Sequence, residues 1–193
     1  VFDTDNLIRS VLNSIQGKVF SAMILYSLRY ARLFRKEQAE RWVDTVREYF
    51  DRRLIQETEP SLEFFVTLGK YLANLAYLDK KWIINNIDRI FPKSNDKCLE
   101  AAFTGYLFYS ELFKDIYFLL KEGSHYEKAM VTNFNEDHIT ERFVQHICIA
   151  YLQGWEKLDD ETSLISQLLK NQKADQLSEI VGFLWKLRDK LED

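Results

Sequence analysis

The pair Gly17-Lys18, in "NSIQGKVF", has residue types that suit phosphate chemistry. A P-loop needs a glycine five residues before that pair and a hydroxyl after the lysine, to cradle the phosphates and hold magnesium. Leu12 and Val19 occupy those places, so the loop is absent. Gly17 is then expected to break the chain between two helices. Metal ligation is the next chemistry to weigh. His138 and His146 are eight residues apart, about 12 Å along a helix, too far to share one ion. His138 and Glu141 have i, i+3 spacing and supply two ligands, but no second such pair completes a di-metal carboxylate site.

Nucleophilic catalysis needs a serine or cysteine held near a base by a third group. There is no G-x-S-x-G elbow. Cys98 and Cys148, the only two cysteines, lie in apolar helical patterns and form neither a CxxC pair nor a disulfide framework. Buried, reduced thiols in a cytosolic protein are expected. Asp159, Asp160 and Glu161 in "LDDET" precede an apolar helix, where capping and dipole effects account for them. No enzyme signature emerges, and no metal or cofactor is expected. His138, Glu141 and His146 are the parts from which a dispersed catalytic site would have to be assembled.

The elements that must position any site are helices. Hydrophobic residues make up 47% of the 193 and aromatics 15%, with only 6 Gly and 2 Pro. That is too few turn residues for an all-β fold. A first helix is expected from Asn6 to Ile15, a second from Lys18 through Ala31, and a third over 36–54 burying Trp42, Val43, Val46, Tyr49 and Phe50. A fourth is expected to reach Tyr77, with Pro60 in its first turn. Further helices are expected over 78–92, from Ser94 or Asn95, over 110–122 with Gly123 as its stop, around 143–151, over 164–169 and from Ala174, with a helix or turn at 124–132. Broad apolar stripes suit packing between two neighbours. The expected architecture is all-α, with antiparallel helix pairs in a HEAT/TPR-like right-handed superhelix. An irregular helical bundle is the alternative. Residues 1–193 are read as one repeat domain, and the start at Val1 as that of a piece from a longer chain.

"LDKKWIINNIDRIFP", residues 78–92, is the best punctuated stretch. Asp79 has the place of an N-cap, and Leu78 and Ile83 have the spacing of a hydrophobic staple. Pro92 disfavours helical geometry at Phe91 and ends the element. Asn85 and Asn86 are expected to be solvated, and the stretch to serve as scaffold. Elsewhere Arg29, Arg32, Arg35 and Lys36 crowd the end of one helix, where cations complement its dipole. "FTGYLFYSELF" packs Phe103, Tyr106, Phe108, Tyr109 and Phe113 into eleven residues, more than one face can hide. Candidate partner-binding residues are therefore Arg29, Arg32, Arg35, Tyr106, Tyr109 and Trp82, since aromatic and Arg side chains dominate interface energetics.

The net charge is −4, which gives no electrostatic reason to expect nucleic acid. Residues 1–53 are nonetheless locally basic, with 10 of the 26 basic and 7 of the 30 acidic side chains. No apolar run reaches the about 18 residues of a membrane span. Three stretches, "LNSIQGKVFSAMILYSLRYAR", "YLDKKWIINNIDRIFP" and "AAFTGYLFYSELFKDI", resemble in order and spacing the C-terminal helical-repeat region of large bacterial STAND-type NTPase and effector antiphage proteins. Phe103 stands where that region has Trp. "ITERFVQHICIAYLQGW" resembles a further helix pair of the same region. The resemblance implies a cytoplasmic, bacterial, non-enzymatic scaffold that recognises a protein, of phage origin or the chain's own remaining domains. NTPase and effector activities would lie outside this segment. A small molecule or nucleic acid held in a concave groove is the alternative.

Overall fold

In the computed structural model of the protein, the described residues are 11, 13–37, 40–56, 61–109, 111–132, 134 and 137–191. All regular structure among them is helical: α1 (Ile15–Leu33), α2 (Asp44–Gln56), α3 (Leu62–Lys70), α4 (Leu72–Leu78), α5 (Lys80–Ile90), α6 (Asp96–Tyr109), α7 (Lys114–Glu122), α8 (His125–Val131), α9 (Asp137–Leu152), α10 (Leu164–Lys170) and α11 (Ala174–Leu191). The helices fall into two compact units, Val1–Thr132 and Asn133–Asp193, and each is described by itself.

In the first unit the closest packing is between α3 and α6. A Cβ added to Gly69 would lie 1.9 Å from the Ala102 carbonyl oxygen, and one added to Gly105 would lie 2.0 Å from that of Val66. Each glycine thus opens the space that the other helix's backbone fills. Residues 63–69 of α3 are buried without a break, so this helix is apolar nearly all round, as a helix enclosed by neighbours must be. Glu63, the one carboxylate among them, accepts from the Ser61 hydroxyl at 2.8 Å.

Aromatic side chains fill the space beside that contact. Phe64 lies 5.0 Å from Phe20 and 5.3 Å from Phe50, ring centre to ring centre. Trp42 joins them through Phe50 at 5.7 Å and packs edge-on against Trp82 at 4.6 Å. On the α6 side, Phe91, Phe103 and Tyr126 stack in sequence, with centroids 4.9 and 5.8 Å apart. Such pairs contribute about 0.5–1.5 kcal/mol each beyond the area they bury.

Residues 78–92 fold as the sequence indicates. Asp79 caps α5, its carboxylate accepting from the Trp82 amide at 3.0 Å, and Leu78 and Ile83 are both buried. Asn86 departs from the expectation. It is buried, donates to the Trp82 carbonyl at 3.0 Å and accepts from Arg89 at 2.9 Å.

Several boundaries differ for tertiary reasons. The segment expected to be helical over Asn6–Ile15 lies mostly outside the described residues, as does Pro60. α1 begins at Ile15 rather than Lys18, because Ser14 caps it by accepting from the Gly17 amide at 2.9 Å. Gly17 is therefore a first-turn residue and not a break. α2 begins at Asp44 rather than 36. Arg41 instead lies over the Tyr77 ring at 4.2 Å and donates to its carbonyl at 2.9 Å, holding Trp42 inward ahead of the helix. The expected fourth helix is divided at Tyr71 into α3 and α4. Gly123 has an ordinary φ of −78°, and Ser124 takes the left-handed conformation with φ 56°. A Cβ at 123 would lie 2.6 Å from the buried His125 ring, which would have to shift to admit it.

In the second unit, α9 packs on α11 and both meet α10, around Phe143, Val144, Ile147, Leu164, Leu168 and Ile180. The acidic run before α10 does not cap it. Glu156, buried, reaches back to accept from the Leu164 amide at 2.8 Å and the Ser163 hydroxyl at 2.6 Å. Asp160 accepts from the Thr162 amide at 2.9 Å, and Glu161 pairs with Lys170 at 3.1 Å.

Gly69→Ala and Gly105→Ala are each expected to destabilise the chain by at least about 3 kcal/mol, since the obstructing atoms are backbone and cannot rotate away. Urea denaturation measures this. A midpoint unchanged for both variants would show that the helices do not need that approach.

Candidate functional site

The first unit carries a groove of about 950 Å³ among α1, α4, α5 and the segment from Phe113 through α7. Its form follows from which faces these helices spend on the core. α4 turns Leu72, Leu75 and Leu78 inward and leaves Ala73 and Ala76 on the other side. Two alanines make a low floor, and larger residues around it make the walls. α5 buries Ile83 and Ile87, while Ile84 lies off that stripe and is 48% exposed. Tyr77 and Phe113, 43% and 46% exposed, complete the apolar lining.

The charged residues of the lining are all exposed. Lys80, the first residue of α5, pairs with Asp115 in the first turn of α7 at 2.6 Å. The hydrogen bond and charge of Lys80 hold the Asp115 carboxyl below its ordinary range. Arg32 and Lys114 also line the groove, as does Glu122 farther along α7. The site offers a wide apolar surface with a few charged groups at its border, which is the composition of a binding site.

Of the sequence candidates, Arg32 lines this groove. Arg29 and Arg35 are exposed on the same helix end and the turn after it. Trp82 and Tyr106 are corrected from partner-facing residues to interior ones, with 3% and 0% exposure. Trp82 donates its indole N–H to Asp51 at 2.6 Å, and the Tyr126 hydroxyl donates to that of Tyr106 at 3.4 Å. Burial pushes the Tyr106 phenol well above its ordinary value. The Tyr109 side chain lies outside the described residues. Tyr77 and Ile84 were not among the candidates, whereas Phe113 is an exposed member of the 103–113 aromatic group that the sequence singled out. Ile84 had a sequence signal, an isoleucine out of phase with Ile83, Ile87 and Ile90.

The dispersed catalytic set divides by environment. His138 is exposed, His146 is buried, and Glu141 accepts from Gln145 at 2.9 Å. Among the described residues, no three His, Cys, Asp or Glu side chains converge to hold a metal ion. Both cysteines are buried and free, and burial pushes the Cys148 thiol up to about 11, so it remains protonated at neutral pH. No helix among the described residues is long and apolar enough to cross a membrane.

Comparison with known protein families, with curated proteins and with solved structures gives no match.

Burial, with a smaller contribution from Arg142, lowers the His146 pKa from 6.5 to about 4. Above the unfolded value both states are neutral and the associated stability is fully present. As pH falls below it the unfolded chain takes up a proton that the folded chain refuses. Stability is therefore expected to fall between pH 6.5 and about 4, by up to about 1.4 kcal/mol per pH unit from this residue. Burial lowers His125 as well and adds to the slope. Urea midpoints at several pH values in that window, compared with those of His146→Gln, measure it. An equal slope in the variant would remove His146 as a source.

Proposed function

We propose that this chain is a non-enzymatic helical scaffold that recognises a protein through the groove of its first unit. The observation that carries the reading is the exposure of Tyr77, Ile84 and Phe113 around one concavity. Exposed apolar side chains gathered in one lining, rather than scattered singly, mark a surface that is covered in use. Large side chains around a desolvated centre, with charges at the edge, is how binding energy is concentrated at protein interfaces.

A HEAT/TPR-like superhelix is the architecture we favour, because short helices follow one another through brief turns and leave a concave face. The resemblance to the C-terminal repeats of bacterial antiphage proteins supports a sensor role. In that role binding here would change the state of domains elsewhere in a longer cytoplasmic protein. A small-molecule reading draws on the groove's volume of about 950 Å³, which falls at the upper end of ligand pockets.

The test uses the full-length gene product in bacteria challenged with a panel of phages. Ile84→Asp, which places a charge on the lining while leaving the core intact, is expected to abolish protection against at least one phage. Cross-linking of the purified wild-type protein, and not the variant, to a phage protein would complete the case. Protection that survives Ile84→Asp and removal of residues 1–193 alike would sink the sensor reading.

A further inference from the structure

We propose that the occupant of the groove is an acidic amphipathic α-helix of a partner protein, an inference that rests on the protein-recognition reading above. The walls decide the conformation. α1, α4, α5 and α7 satisfy their own backbone groups, so the groove has no free sheet edge for an extended peptide to pair with. A helix brings its hydrogen bonds already made and presents apolar side chains at i, i+3, i+4 and i+7, which an apolar trough between helices receives.

The rim decides the charge. Leu25, Leu28, Arg29 and Arg32 recur at helical spacing and form one strip of α1, with Leu28 and Arg32 in the groove lining. Leu25 is exposed about one turn before Leu28 on the same strip. Arg29 and Arg32 are exposed and carry no side-chain ion pair among the described residues. Lys80 and Lys114 add positive charge from α5 and α7. Against them stand Asp115, engaged by Lys80 at 2.6 Å, and Glu122. Arg29, Arg32, Lys80 and Lys114 against Asp115 and Glu122 leave two net positive charges on a chain of net charge −4, and such a local reversal favours an acidic partner by steering and disfavours basic ones.

The inference is tested with a displayed library of peptides about 15 residues long, near the shortest length at which isolated helices form, panned on the 193-residue chain. Enriched peptides are expected to be net negative with apolar residues at helical spacing, and a synthetic copy should gain helicity on binding. Its affinity should fall about ten-fold or more with Arg29→Glu and Arg32→Glu together. Ile84→Asp should weaken it about thirty-fold or more. All three positions are exposed, so circular dichroism and thermal midpoints should match the wild type. Enrichment of basic, neutral or extended peptides that Ile84→Asp still releases would overturn the acidic helix and leave protein recognition standing. No enriched peptide of any kind, or anion binding seen only with a single-stranded DNA probe and indifferent to Ile84→Asp, would overturn both.

Discussion

The first unit depends on two helices touching through their backbones. Gly69 of α3 faces Ala102, and Gly105 of α6 faces Val66, at distances that leave no room for a Cβ on either glycine. A contact so close encloses α3, and every residue from Glu63 to Gly69 is buried. Dispersion grows steeply as surfaces approach, so the glycines contribute through what their absence of side chain lets neighbouring atoms do. α4 follows α3 after a single residue, Tyr71. The position of Ala73, Ala76 and Tyr77, and with it the groove floor, is inherited from that contact.

A second constraint is polar and holds α5 in register with α2. Asp79 uses one carboxylate oxygen to cap α5 and the other to meet Arg47 at 3.2 Å. Asp51, one turn after Arg47, accepts the Trp82 indole N–H at 2.6 Å. The Arg47 pair is partly solvated and adds little free energy. Its contribution is geometric: the indole is oriented so that Trp42 meets it edge-on, and Ile83 is turned inward while Ile84 faces the groove. A helix oriented in this way buries one isoleucine in the core and leaves the next exposed in the groove lining.

The overall charge of the chain does not describe the charge around the groove. The chain is acidic as a whole, yet Arg29, Arg32, Lys80 and Lys114 lie along or beside one apolar trough. Screening confines such charges to about 8–10 Å at physiological salt, so the local field at the groove is set by these four cations together with Asp115 and Glu122.

Local punctuation was legible in the sequence. The all-helical class, the Asp79 cap, the end of α5 before Pro92 and the apolar stripes of α5, α7 and α9 all follow from short-range rules of capping, proline geometry and periodicity. What lay beyond the sequence depended on contacts between residues far apart in the chain. Trp82 and Tyr106 have the composition of interface residues, and only packing against Trp42 and Tyr126 makes them core. Arg41, drawn to Tyr77 across 36 positions, moves the start of α2. Glu156 rather than the nearer acids caps α10, because the turn between brings its carboxylate to the helix end. The groove is likewise a tertiary object, since Leu28, Ala73, Ile84 and Phe113 share no local pattern and meet only once Gly69 and Gly105 let their helices close.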